Sequence, residues 1–381
     1  MISFQPTAEE LAFTRVAKDF AKEKIRPLAR ACETEREVAA ELVEEAKELG
    51  FLSLEIPEEW GGLALPLISQ VQIQRALSYG DLAIVQGFTG AGDVASLFRT
   101  ISNQGGLQQV KESFIGGEEL TSVLIDSSEP SKPWGKSITV QKHGSDYVLD
   151  GTTEPVRLAK FADIAVVFAR DQVGEAVILL VDSKEWTVKE GDYRLGLLAA
   201  GLGRLSFEQL TISGEHVLAK GKEAERIFRT VQARLYTLEA AKQNGLMEAA
   251  LDYATEYTAG RKAFGREIAK FQGVSFKIAK MAIEVQVVNH LTWEAALKAD
   301  EGSASAYGFA LRALYRAHRG IRFVTDAAVQ LLGGHGYIQE FPVEKWLRDA
   351  GAQVALYGRE QGLLAQRGAE LLAEPREVDF H

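Results

Sequence analysis

The spacing of hydrophobic positions changes character twice along the chain. From Pro6 to about Gly117 it is helical: in "TAEELAFTRVAKDFAKEKIRPLA", Leu11, Phe13, Val16, Phe20 and Ile25 recur at roughly helical period, with Thr7 as N-cap and Glu10 at capping-box spacing. "EIPEEWGGLALP" interrupts the pattern with Pro57, Gly61, Gly62 and Pro66 and reads as a loop between helices. From about Glu118 to Lys220 the chain turns to short β-branched runs, among them "LTSVLID", "ADIAVVFARD" and "EAVILLVD", separated by turn residues, and "KHGSDY" is a hairpin connection. Strands that follow one another without helices between them predict an antiparallel sheet or a small barrel. From about Glu223 to Ala373 helical spacing returns in three long segments, each with one face to bury and each long enough to lie beside the others in a bundle. The pattern predicts an α+β fold in three parts: an N-terminal helical domain over residues 1–117, a middle antiparallel β domain over 118–221 and a C-terminal helical bundle over 222–381.

Composition narrows the class of protein. At 381 residues the chain exceeds one packed core, and 46% hydrophobic with 25% charged residues is ordinary for a globular protein. A net charge of −10 argues against a general grip on a nucleic-acid backbone, although a local basic patch could still hold a small phosphate. Cys32 is the single cysteine, which excludes an internal disulfide and a thiolate metal cluster and fits a reducing cytoplasm. No apolar run is long enough to span a bilayer, and the first residues lack a signal core, so the expectation is a soluble cytoplasmic protein without membrane insertion. The six histidines are scattered and no HExxH spacing occurs, so no metal site is expected.

Two segments carry candidate chemistry. In "RKAFGREIAKFQG", an arginine at a helix end, Arg261, can fork two hydrogen bonds to a phosphate, and Gln272 near the next helix start can serve a polar ligand; a solvated Arg-Lys pair on a turn explains the same letters. In "QLLGGHGYIQEFPVEKWLRDA", Gly333, Gly334 and Gly336 let a ligand or another backbone approach, but a helix C-cap with a tight turn does equally well.

Taken in order, "IPEEWGG", the helical, β, helical sequence of zones, "RKAFGREIAKFQ" and "QLLGGHGYIQEFPVEKWLRDA" resemble the acyl-CoA dehydrogenase family over essentially the whole chain. The resemblance implies the acyl-CoA dehydrogenase fold, with a C-terminal four-helix bundle, assembled as a homodimer or homotetramer. It implies FAD between the β domain and the bundle, its pyrophosphate and adenosine reaching the neighbouring subunit, with Arg261, Phe264, Gln272, Gln330 and Gly334 as contacts. The substrate implied is an acyl-CoA thioester. The chemistry is α,β-dehydrogenation: a carboxylate removes the α-proton as the β-hydride passes to the flavin, and hydrogen bonds to the thioester oxygen hold the enolate-like charge.

The chain departs from that pattern where the chemistry is done. Gly358, in "LYGREQG", stands where the family's Tyr-Glu-Gly-Thr segment carries its base, and the alternative base position on the first bundle helix is Leu235, followed by Tyr236. Glu360 and, second to it, Glu239 are the nearest replacement carboxylates along the chain. Pro155, Val156 and Arg157 occupy the Trp-Ile-Thr positions that lie against the flavin ring, and "IDSSEPSKPWGKS" keeps Glu129-Pro130 without the Gly-Ser-Asp that should follow. Proline also removes a backbone donor where a strand would use one. Three functions stand side by side: a dehydrogenase with a relocated base, a non-catalytic subunit in a hetero-oligomer with an active homologue, and a flavin-dependent oxygenase or other redox enzyme on the same fold.

Overall fold

The computed structural model describes residues 8–101, 105–116, 120–127, 138–182, 185–189 and 194–373. The proposed N-cap Thr7 and the pair Glu129-Pro130 lie outside them. Helix α1 (Ala8–Phe20) runs through a π turn (Ala21–Ile25) into α2 (Arg26–Glu35). Pro27 has no N–H to donate back along the helix, and the chain widens just ahead of it. Then come α3 (Ala40–Glu48), α4 (Leu67–Gly80), α5 (Leu82–Gly87), α6 (Ala95–Thr100) and α7 (Gln108–Ile115). The "EIPEEWGGLALP" loop lies between α3 and α4 and inserts Trp60, which stacks on Phe98 with ring centroids 4.4 Å apart.

The middle region holds two four-stranded sheets. Strands β1 (Ser122–Ser127), β4 (Ile164–Arg170), β5 (Ala176–Val181) and β8 (Val217–Lys220) form one, in the order β1-β4-β5-β8. Strands β2 (Thr139–His143), β3 (Asp146–Thr152), β6 (Thr187–Lys189) and β7 (Arg204–Ile212) form the other, in the order β2-β3-β7-β6. Pairing is antiparallel throughout except between β1 and β4, which run parallel because the intervening hairpin belongs to the other sheet. The β2–β3 turn is Gly144-Ser145, as "KHGSDY" predicts, with His143 paired to Asp146. Alternation along β4 shows how the sheets are used: Ala165, Val167 and Ala169 fill the space between the sheets, while Ile164, Val166 and Phe168 pack outward on α6 and the first bundle helix.

The C-terminal part begins with α8 (Gly221–Gly260), continues through a small hairpin, β9 (Lys262–Ala263) with β10 (Arg266–Glu267), into α9 (Gln272–Asp300) and α10 (Ala306–Leu332), and ends with α11 (Val343–Leu356) and α12 (Glu360–Ala373) packed on α10. Helix α8 touches α4, α5, α6, β5, α9, α10 and α11, and every residue from Val231 to Met247 is buried. A helix enclosed on all sides is expected to be apolar throughout. This one carries Gln232, Arg234, Thr237, Glu239, Lys242, Gln243 and Asn244 in that stretch. Buried polar groups need partners, so their partners mark where the three parts of the chain meet.

Candidate functional site

The junction is held by a frame of ion pairs. Asp81 caps α5, its Oδ1 accepting from Ile84 N at 3.0 Å, and its Oδ2 accepts from Lys345 Nζ on α11 at 2.5 Å. Lys345 also donates to Asp349 at 2.7 Å, and Asp349 accepts from Leu197 N of the middle region at 2.6 Å. Burial pushes the Lys345 ammonium down, but the two carboxylates outweigh it and hold it above its ordinary value. Gly87 completes the fit of α5, because a Cβ there would stand 2.3 Å from Ala199 O. Helices α5 and α11 and the 197–200 turn are thereby fixed against each other, with Gln86 and Gln353 facing α8.

Between them lies a closed network. Glu239 accepts from Gln86 Nε2 at 2.5 Å, from Gln353 Nε2 at 2.7 Å and from Lys242 Nζ at 2.6 Å. Lys242 also donates to Gln86 Oε1 at 3.2 Å. Arg157, in the β3–β4 connection, turns inward: its guanidinium donates to Gln86 O at 3.1 Å and pairs with Asp93 at 3.5 Å. Tyr357 donates to the other oxygen of Asp93 at 2.5 Å. The network is neutral, with Asp93 and Glu239 against Arg157 and Lys242. Among the described residues, no atom of it is a buried polar atom without a partner. Burial pushes the Arg157 guanidinium down and the Asp93 charge pulls it further up, so it stays charged. Burial, Asp93 and Glu239 together push the Tyr357 phenol well above its usual range, so it stays a donor.

Next to Tyr357 the backbone turns at Gly358, with φ of +56°. A Cβ added there would meet Leu363 Cδ2 at 2.8 Å and Tyr236 Oη at 3.7 Å. Leu235, Tyr236 and Leu363 belong to one apolar cluster with Leu311 and Leu314, so the two positions at which the family carries its base converge on an apolar wall. His318 of α10 fixes the turn by donating from Nε2 to the carbonyls of Tyr357 and Gly358, both at 2.9 Å. Burial holds its imidazole below the ordinary value and therefore neutral. Its Nδ1 sits 3.0 Å from Gln243 Oε1 while Gln243 Nε2 lacks a partner, so half a turn of that amide supplies the donor that Nδ1 requires.

The candidate carboxylates are both committed. Glu360 opens α12 and accepts from Arg322 at 2.6 Å on the outside of the bundle, while Glu239 sits in the network described above. The residues matched to FAD contacts gather elsewhere, at one end of the bundle: Arg261 ends α8, Phe264 tips the small hairpin with 95% of its surface exposed, Gln272 starts α9, Gln330 lies in the last turn of α10 and Gly334 follows it. Tyr257 ties the two turns together through His335 Nδ1 at 2.8 Å. All five are exposed.

Gln86, Asp93, Lys242, Gln353 and Tyr357 are not among the residues that the sequence reading selects. A lone amide in an apolar run, as in "LAIVQGF" or "AGAQVAL", is the available signal. Two further features bear on function classes. Among the described residues there is no group of His, Cys, Asp and Glu placed to hold a metal ion, and no helix long and apolar enough to cross a membrane. Two hollows, one of about 20 Å³ beside Phe168 and Phe228 and an open one of about 260 Å³ at Pro57, Glu58, Glu59, Ala64 and Arg99, involve no residue of the network.

Comparison with known proteins concerns the chain as a whole. The family model for the acyl-CoA dehydrogenase N-terminal domain matches residues 7–115 and that for the C-terminal domain matches residues 234–371. A 3-(aryl)acrylate reductase of Clostridium sporogenes is 27% identical over 367 residues, covering 92% of this chain and 95% of its own. An acyl-CoA dehydrogenase of Bacillus subtilis is 27% identical over 358 residues, covering 90% and 93%. In fold, butyryl-CoA dehydrogenase from Megasphaera elsdenii superposes with a TM-score of 0.86 at 24% identity, covering 97% of this chain and all of that one.

FAD is the cofactor this family uses, and the two ends of its expected site differ in fit. The exposed Arg261 and Gln272, beside the N-terminus of α9, offer donors suited to phosphate oxygens. The ring end does not fit: the position expected to give a hydroxyl gives a buried guanidinium, and it is already satisfied by Asp93 and Gln86.

Proposed function

The chain belongs to the acyl-CoA dehydrogenase family, and on that premise we propose that it is a subunit without acyl-CoA turnover of its own, which assembles with a catalytically intact homologous chain. One observation carries this reading: neither of the two carboxylates nearest the family's base positions is free to take an α-proton. Gly358 and Leu235 hold the two family positions, Glu360 pairs with Arg322, and Glu239 is pinned by Lys242, Gln86 and Gln353. A base must reach its proton within hydrogen-bond distance and be free to accept it. Function follows the site rather than the fold.

The second reading, FAD-dependent α,β-dehydrogenation of an acyl-CoA thioester with Glu239 as base, draws on one feature: Glu239 lies on α8 one turn beyond Leu235. The contacts of Glu239 oppose it, because Lys242 at 2.6 Å occupies one carboxylate oxygen and Gln86 and Gln353 occupy the other. The test is an assay of the purified chain with FAD, a series of saturated acyl-CoA thioesters and an artificial electron acceptor. The expected result is no acceptor reduction above a protein-free control; turnover at about 1 per second or faster, the low end for ordinary enzymes, would favour the dehydrogenase. Co-expression with an intact acyl-CoA dehydrogenase from the same genome should then give a complex that survives gel filtration.

A further inference from the structure

Arg157 and Tyr357 are far apart in sequence, and the family resemblance gives them different neighbours: the flavin ring for the first, the base for the second. In this chain the two side chains share one carboxylate. Arg157 pairs with one oxygen of Asp93 at 3.5 Å and Tyr357 donates to the other at 2.5 Å. We propose that this Arg157–Asp93–Tyr357 bridge closes the slot between the middle region and the bundle, so that the chain excludes the flavin ring. The proposal deepens the reading of a non-catalytic subunit and rests on the same family assignment.

The bridge is built to stay shut. Arg157 is held from two sides, by Asp93 and by the Gln86 carbonyl, and Gly92 makes room for it, since a Cβ there would stand 3.0 Å from Nη2. The turn that carries it is fixed as well: Leu158 N donates to Ala200 O at 3.1 Å, and Val156 exchanges backbone hydrogen bonds with Gly203 on the opposite strand end. Swinging the guanidinium out would leave the mostly covered Asp93 carboxylate without a cation and the Gln86 carbonyl short of a donor. A planar ring entering here would have to break these contacts and could offer Asp93 an N–H donor but no positive charge to replace the guanidinium. Ligand binding can open a closed state only by as much as it prefers the open one.

The experiment compares FAD with ADP, which shares its distal half and lacks the ring, by equilibrium titration of the purified chain followed by gel filtration and a visible spectrum. The expected result is that FAD binds no tighter than ADP, or that neither binds, and that the eluted protein is colourless. A wild-type chain that prefers FAD over ADP by more than about tenfold, or that elutes yellow at near one flavin per chain, overturns the proposal. The paired variant Asp93→Asn with Arg157→Thr removes both charges together, so neither is left buried alone. When circular dichroism shows it folded, it should gain at least about tenfold in preference for FAD over ADP; a folded variant with no gain means that the bridge is not what excludes the ring. Should the variant not fold, the wild-type comparison decides alone. A chain that binds FAD fully yet turns over no thioester defeats this proposal and leaves the subunit reading standing, whereas a ring-free chain that forms no complex with a homologue does the reverse.

Discussion

Replacing Glu239 by Gln tests whether the centre of the junction is a paired ion or a waiting base. The carboxylate is fully buried and receives three donors: Gln86 and Gln353 on one oxygen, Lys242 on the other. A glutamine can keep the two amide contacts with its carbonyl, but its NH2 then faces the Lys242 ammonium, donor to donor, and the ammonium is left buried without a counter-charge. Removing one partner of a buried pair costs about 3–5 kcal/mol. For a chain this long, at the usual unfolding entropy per residue, that lowers Tm by roughly 4–6 °C. Adding Lys242→Met removes the stranded charge and should return most of the loss, since replacing a buried pair by apolar groups is often near neutral. The assay is thermal and urea unfolding of both single variants and the double variant, read as a double-mutant cycle. If Glu239→Gln cost less than about 1 kcal/mol, or if the double variant were no more stable than the single, Glu239 would not be held as an ion pair and its case as a base would reopen.

At Gly358, alanine meets both a backbone φ of +56° and Leu363 Cδ2 at 2.8 Å, and should cost about 1–3 kcal/mol in urea unfolding; Gly358→Glu, which restores the family's residue type, should lose stability and gain no acyl-CoA oxidation. In acid, two groups act in the same direction. His318 is held below its ordinary value of 6.5 by burial, so its contribution is complete above pH 6.5 and is lost as pH falls below that value towards its folded one. For Glu55, burial pushes the carboxyl up, but the Arg234 fork and the Arg99 charge outweigh it and hold it below 4.5, so its contribution is complete above pH 4.5 and lost as pH falls through the folded value. Unfolding free energy should therefore decline first below pH 6.5, and His318→Gln should flatten that first decline while leaving the later one. Phe264→Ser, on the exposed hairpin tip, should change unfolding free energy by less than about 0.5 kcal/mol while weakening association in sedimentation equilibrium; the opposite pattern would place Phe264 in a core rather than an interface.

What could be read from the sequence was whatever depends on local period. Phe20 and Ile25 fall in the core of the N-terminal helices, the apolar run in "ADIAVVFARD" becomes strand β4, buried on both faces, and "KHGSDY" makes its two-residue turn. The site was legible only at single positions: Gly358 visibly cannot accept a proton, but nothing local says which way Arg157 points. Its direction is set by Asp93, 64 positions earlier, and Asp93 in turn meets Tyr357, whose turn is held by His318, beside the clamp that Asp81, Lys345 and Asp349 form between α5 and α11. Each of these charges would read as an ordinary surface residue in its own segment. In the fold each is paired with an opposite charge, Arg157 with Asp93 and Lys345 with both Asp81 and Asp349, and a charge in such a setting is tolerated only while its partner is present. Gly358 and Arg157 are therefore tied together in the proposal through Asp93, which Arg157 and Tyr357 share. On the proposed reading of a subunit without its own flavin ring, Arg157 fills the slot and Asp93 and the Gln86 carbonyl answer its charge.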